Sequence, residues 1–308
     1  MRESAEWRTL LLAATCYAVW LTLVFGLPDI PTIVRVAMLI PVITLHSSLQ
    51  HECLHGHPFR NQKLNDLLVA PPIGLLVPYL QFKACHLKHH VNELITDPYD
   101  DPESYYLDKR AWDDLPRPMK WLLTANNTLF GRITIGPALG TVGFMRNEWR
   151  RIRAGDTSLA FVWVRHFLGA AIILWLVHRF GALDAVSYGV AAYLGMGLLM
   201  VRSFLEHQAV ERTNGRSVII DSRGPLAKLF LYNSLHSVHH AYPSIAWYRL
   251  PGFFEKNRDR FMRMNGGYYF RSYAEIFRRY ALTPKEPVAW PLDRDRLKNR
   301  RRTTGGTA

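Results

Sequence analysis

Long uncharged runs alternate along this chain with segments dense in charge, and their lengths predict helices able to cross a bilayer. Residues 10–27 carry no charge over 18 positions, close to the roughly 20 that span a hydrocarbon core. Pro28, Asp29 and Pro31 then mark a tight turn. Residues 30–50 follow with one charge, Arg35, near enough to the start of the run to extend toward the interface. These two spans form a hairpin that returns the chain to the side it left. A second hairpin is predicted from residues 159–180 and 185–201 around Gly181; Arg165 and His166 interrupt its first span and are expected to face the bundle interior. Residues 67–82 are also uncharged, but Pro71, Pro72 and Pro78 preclude an unbroken spanning helix, so a kinked or re-entrant element is expected there. Residues 91–156 turn polar and Pro-rich, then amphipathic over 121–149, as an interfacial segment would.

At 49% hydrophobic the composition sits in the ordinary globular range, so the spacing of the runs and not their total points to a membrane. The net charge of +13 comes from Lys and Arg flanking those runs, which makes anionic membrane lipid the expected partner and not nucleic acid. Arg146, Arg150, Arg151 and Arg153 precede the second hairpin and residues 294–302 form a basic tail, whereas the turns at Pro28 and Gly181 carry little positive charge beyond Arg179. The positive-inside bias therefore places the basic segments, and everything after residue 201, in the cytoplasm, with the chain in an inner or cytoplasmic membrane. Arg2 and Arg8 precede the first run as in a signal peptide, but no small-x-small cleavage site follows, so an uncleaved anchor is expected. Cys16, Cys53 and Cys85 lack CxxC spacing and no disulfide is expected. Residues 1–302 are read as one membrane-embedded domain and 303–308 as a disordered end.

Most of the 13 histidines fall in three clusters: His51-Glu-Cys-Leu-His55, His86-Leu-Lys-His89-His90 and His236-Ser-Val-His239-His240. Positions i, i+3 and i+4 share one helix face, so each H-x-x-H-H cluster is expected to point three imidazoles at one spot, and His51 and His55 to do the same as a pair. With His207, at the cytoplasmic end of the last span, nine candidate ligands result: His51, His55, His86, His89, His90, His207, His236, His239 and His240. One ion takes about four to six such ligands, so nine imply two metals. His46, His57, His166 and His178 fall outside this set. Imidazole suits Zn, Cu, Fe and Ni alike, and the spacing does not name the metal.

These clusters, in this order and separated by membrane hairpins, resemble the integral-membrane fatty acid desaturase and hydroxylase superfamily from about His46 to Pro251. Supporting words are His51-Glu-Cys-Leu-His55-Gly, Asp97-Pro, Asp101-Pro-Glu103 and Arg202-Ser-Phe-Leu-Glu-His207. The resemblance implies a non-haem diiron centre, two Fe ions with O2 as co-substrate, in an all-α integral membrane protein: four transmembrane helices in two hairpins, a kinked or re-entrant segment, and a cytosolic helical cap carrying the histidine-ligated dimetal site. It implies oxidation of an unactivated C–H bond in a lipid, by fatty-acyl or acyl-lipid desaturation, with hydroxylation or ketolation of a lipid, carotenoid or alkane as the alternative. Glu52, Asp97, Asp101, Glu206 and Asn233 are placed to orient imidazoles through their free N–H groups.

The chain shows no His-Pro-Gly-Gly haem word, too few cysteines for an iron–sulfur cluster and no GxGxxG fingerprint, so a separate electron donor of ferredoxin, rubredoxin or cytochrome type is expected. Two rivals differ in class. His51-Glu-Cys-Leu-His55 fits the H-E-x-x-H word of a zinc-dependent hydrolase, but two further clusters exceed what such a site uses. A metal transporter would need polar groups through the depth of several spans, whereas these clusters sit at span ends. The stretch Trp247-Tyr-Arg-Leu-Pro251 reads as an interfacial aromatic belt.

Overall fold

The computed structural model of the protein describes residues 5–91 and 95–293. Arg2, the basic tail 294–302 and the end 303–308 lie outside the described residues. In order come α1 (Trp7–Phe25), α2 (Thr32–Leu54), α3 (Gln62–Leu68), α4 (Tyr79–Val91), α5 (Lys109–Asp113), α6 (Arg117–Asn126), α7 (Leu129–Thr134), α8 (Gly136–Arg153), α9 (Thr157–Phe180) and α10 (Ala185–Ser203). The remainder is β1 (Ile219–Ile220), α11 (Pro225–Leu229), α12 (His236–Ala241), α13 (Leu250–Lys256), α14 (Arg258–Met264), β2 (Tyr269–Phe270) and α15 (Tyr273–Tyr280). Four helices, α1, α2, α9 and α10, are long and apolar enough to cross a membrane, as the two predicted hairpins require.

The spans pack around α2 and α10. Leu39 and Ile43 of α2, Trp20 and Leu23 of α1, Ile173 and Val177 of α9 and Tyr188 of α10 form one buried cluster. Close approach depends on glycine: a Cβ at Gly195 would lie 3.0 Å from the Ile43 side chain, and one at Gly197 would lie 2.4 Å from the Ile133 carbonyl oxygen. Thr44 Oγ1 uses that proximity to donate to the Gly195 carbonyl at 2.9 Å.

Three charged or titratable positions refine the expected picture. Arg35 does not extend outward; it is 0% exposed and bonds the carbonyls of Leu23, Gly26 (2.9 Å) and Leu27, at the C-terminal end of α1 with the negative end of its dipole. His166 faces inward as expected. Arg165 is exposed, because consecutive helical residues point about 100° apart and one span cannot turn both toward the bundle.

The proline-rich stretch between α3 and α4 is irregular, as the prolines predict. Its Val69 and Ile73 are fully buried among the spans. Non-helical backbone among spanning helices must have its polar groups satisfied by protein, and each spanning helix contributes one donor, three to this stretch and one to the last carbonyl of α3. Tyr17 Oη of α1 donates to Leu68 O (2.7 Å), Gln50 Nε2 of α2 to Val69 O (3.3 Å), His166 Nε2 of α9 to Leu75 O (2.8 Å) and Tyr188 Oη of α10 to Ile73 O (2.8 Å). Leu75 itself has φ 62°, a left-handed conformation that costs a non-glycine residue about 1–2 kcal/mol and is held by this tethering.

Beyond the C-terminal ends of α2 and α10 the remaining elements build a cap. Phe204, Val218, Phe230 and Ile276 fill one of its apolar clusters, and Ile219, Leu235, Phe254 and Phe261 another. The parallel pair β1–β2, in register Ile219↔Tyr269 and Ile220↔Phe270, joins them. Helices α6 to α8 expose Trp121, Phe130, Val142 and Trp149, matching the amphipathic interfacial stretch.

Candidate metal centre

Four chain segments deliver the histidines to one place. His51 and His55 end α2, His86, His89 and His90 lie on α4, and His236, His239 and His240 form most of α12. His207 follows α10, in an extended stretch bridged to Ser217. Six of the nine are buried, while His55, His90 and His240 are half-buried.

The nine converge as two groups. Ring nitrogens of His51, His55, His86, His90 and His239 lie within 4.8 Å of one another, and those of His89, His207, His236 and His240 form a second such set, each group one that could hold a metal ion. This corrects the expectation that each H-x-x-H-H cluster aims at one spot. The i, i+4 pairs His86/His90 and His236/His240 each serve one group, whereas the intervening His89 and His239 cross to the other. Residues i+3 and i+4 are neighbours and diverge by about 100° on a helix, so they cannot share one ion at bonding distance. The groups meet where the His90 and His240 rings stack, centroids 4.2 Å apart and planes 10° apart.

Whether these residues suit a metal is decided by their hydrogens. Glu103 accepts from His86 Nδ1 (3.0 Å), Asp101 from His89 Nδ1 (2.8 Å) and Asn233 Oδ1 from His236 Nδ1 (3.2 Å). A neutral imidazole has one N–H, so the ε nitrogens of these three rings present bare lone pairs. Yet His89 Nε2 and His236 Nε2 stand 2.9 and 3.0 Å from His207 Nε2, His240 Nε2 is 3.1 Å from His236 Nε2, and His90 Nε2 is 3.0 and 3.1 Å from His86 and His239. The single hydrogen that His207 could offer cannot satisfy both lone pairs aimed at it. Edges near 3 Å are those of nitrogens at right angles about an ion with bonds of about 2.1 Å. His51 Nε2 and His55 Nε2 are buried without a hydrogen-bond partner among the described residues, as ligand atoms facing an ion would be.

The electrostatics favour neutral, coordinating imidazoles. Burial first, then neighbouring imidazoles, push the His207, His236, His239 and His240 pKa values well below the usual range and bring His90 down to about 3. His89 moves up instead, because its bond to Asp101 and the charge of Glu103 outweigh burial. Burial would raise Glu103, but His86 and then His89 hold it down at about 2.

Of the residues expected to orient imidazoles, Asp101 and Asn233 do so directly. Glu206 acts at one remove, accepting from Asn233 at 3.0 Å with His236 Nδ1 at 3.8 Å. Asp97 accepts from the Tyr99 and Asp100 amides and shapes the loop. Glu52 accepts from the Trp247 amide (2.9 Å) and groups with Glu6 and His57, outside both histidine sets, so the H-E-x-x-H word does not place a carboxylate on the ligands. Trp247 is thereby tied to the protein, its indole donating to Thr9 Oγ1 at 3.2 Å. Two partners escaped the sequence reading: Glu103, which ends the Asp101-Pro102-Glu103 word, and Ser217, whose hydroxyl is 3.3 Å from His207 Nδ1 and which carries no sequence signal. The histidines outside the set have other partners: His46 meets Tyr17 Oη at 3.0 Å and His57 meets Glu6 at 2.9 Å. His178 is exposed.

A cavity of about 280 Å³ adjoins the centre. Its wall runs from Ile43, Ala192 and Met196 between α2 and α10, past Leu75, to His207, Asp101 and Glu103. It therefore links the apolar depth of the spans to the histidine groups.

The sequence model of the family described as Fatty acid desaturase matches residues 29–273, which include α2, the second hairpin and all nine clustered histidines. No curated protein matches the chain.

Proposed function

Because the chain belongs to the fatty acid desaturase family, we propose that it is a non-haem diiron membrane oxidoreductase that takes hydrogen from an unactivated C–H bond of a lipid, most simply by fatty-acyl or acyl-lipid desaturation. The observation that carries this reading is the pair of converging imidazole groups, five donors and four, whose ε lone pairs face one another. His51, His55, His86, His90 and His239 would hold one ion, and His89, His207, His236 and His240 the other. Bound iron would supply the capacity to activate dioxygen and pass electrons.

The chain's own residues do the rest. Asp101, Glu103 and Asn233 hold δ hydrogens, fixing tautomer and ring orientation and raising the basicity of the ε nitrogens. The aliphatic cavity wall excludes water and guides an apolar chain from the bilayer to His207. Desaturation balances when dioxygen takes two electrons with two hydrogens from the substrate and two electrons with two protons from a donor, leaving two waters and an alkene. That donor is proposed to be a separate ferredoxin, rubredoxin or cytochrome.

This is a membrane protein by its four apolar helices and its family. The histidine groups lie at the same end of the hairpins as Arg146, Arg150, Arg151 and Arg153, which supports a cytoplasmic face under the positive-inside bias. Residues 1–302 are proposed to act as one domain.

Iron analysis of protein purified from iron-replete cells, combined with mass spectrometry of cellular lipids with and without the gene, tests the reading. Stoichiometric iron and a product lacking two hydrogens support desaturation. A product gaining one oxygen assigns hydroxylation, the alternative for the same site; absence of stoichiometric iron rejects both.

A further inference from the structure

Two arginines line the cavity, and each has guanidinium nitrogen without a hydrogen-bond partner among the described residues: Nη1 of Arg202 and Nε of Arg132. Arg202 is only 7% exposed. Its Nε lies 3.1 Å from Glu206 Oε1, but that oxygen also accepts from Asn233. Arg132 packs over the Tyr105 ring at 5.2 Å, and the acid whose charge it senses, Glu286, is already engaged by Lys285 at 2.9 Å and by Tyr105. Buried N–H groups without acceptors are costly, so this wall is set for an acceptor that arrives with a ligand.

Both arginines stand at the metal end. Arg202 is one carboxylate removed from His236, through Glu206, and Tyr105 Oη beneath Arg132 lies 3.0 Å from the His207 carbonyl oxygen. The other end of the cavity, at Ile43, Ala192 and Met196, is aliphatic and lies between two spans. A polar end at the level of the cap and an apolar end within the bundle match an amphiphile standing in its normal bilayer orientation. At about 280 Å³ the space falls just below the usual range of roughly 300–1,000 Å³ for ligand pockets, which suits one chain and not a two-chain lipid.

We propose that the cavity takes a single-chain amphiphile whose carboxylate head is held by Arg132 and Arg202, with its tail between α2 and α10, so that carbons close to the head are the ones presented at His207. Guanidinium matches a carboxylate in both charge and fork geometry. The proposal rests on the oxidative reading for its chemistry and adds to it the head group selected and the end of the chain attacked.

The full chain in lipid nanodiscs, metal-free and iron-loaded, is titrated with dodecanoate, dodecyl phosphate, dodecanol and dodecane, with tryptophan fluorescence as the readout. Dodecanoate is expected to bind about ten-fold or more tightly than dodecanol or dodecane in both forms. Arg132→Gln and Arg202→Gln are expected to abolish that preference without changing dodecane binding, and Arg132→Lys to restore part of it. The head-group series on the unaltered chain decides the matter even if Arg202→Gln fails to fold. Equal binding of dodecanoate and dodecane, a preference that survives Arg132→Gln, or tighter binding of dodecyl phosphate than of dodecanoate overturns the proposal. So does oxidation of dodecanoate at its methyl end. Loss of the oxidative reading would show separately, as iron-free protein that still discriminates between head groups.

Discussion

The ε nitrogens of His89 and His207 lie 2.9 Å apart although 118 residues separate them. Since Asp101 holds the δ hydrogen of His89, the contact sets a lone pair toward His207, and the ion proposed for this group would resolve it. His89 belongs to the four-donor group and His239 to the five-donor group, so the two are not equivalent. His89→Ala is expected to reduce bound iron to about half by leaving three donors, and His239→Ala to reduce it less; each variant should lose turnover yet still insert in the membrane. Elemental analysis and membrane fractionation check this. Full turnover by both variants would reject the ligand assignment.

Asp101→Asn and Glu103→Gln keep size while weakening the acceptor on His89 and His86. Each is expected to lower iron affinity or activity about 10–100-fold, the usual cost of losing a partner behind a ligand. Competition with a chelator, read by iron retained per chain, measures it. Unchanged retention in both variants would show that these carboxylates only cap a loop.

Metal-free protein should be acid-sensitive. His90 falls from 6.5 to about 3 for burial first and His86 next, and His55, His207, His236, His239 and His240 are likewise lowered by burial and then by neighbouring imidazoles. The unfolded chain then binds more protons, so this contribution is present above pH 6.5 and is lost as pH falls toward 3. Glu103, depressed from 4.5 to about 2, adds a loss of the same sign between those values. His89, raised, has the opposite sign: its contribution is present below 6.5 and fades as pH rises through its folded value. Six lowered imidazoles against one raised make loss toward acid the net result. Thermal unfolding of chelator-treated protein across this range should show Tm falling with pH; a Tm that rises would contradict the burial described.

Tyr188→Phe tests the proline-rich stretch independently of the metal. The hydroxyl donates to Ile73 O and accepts from Trp20 Nε1 at 3.0 Å, so its removal strands two buried groups. A loss of about 1–3 kcal/mol is expected, with iron content unchanged. Unfolding in detergent measures the first and elemental analysis the second.

Chain-local patterns made much of this architecture legible. Apolar runs of spanning length marked four helices, Pro71, Pro72 and Pro78 marked the break between α3 and α4, and i, i+3 and i+4 spacing marked eight of the nine histidines that the fold brings together, His207 being marked by its place at the end of the last span. Each of those signals concerns residues within a few positions of one another, where helix periodicity and hydration act directly on the chain. Packing of distant elements decided the rest. The exchange of His89 and His239 between groups, the turn of Arg35 onto the α1 carbonyls, the diversion of Glu52 to Trp247 and the two arginines in the cavity wall depend on which helix faces meet, and spacing along one helix carries no record of its partner's position.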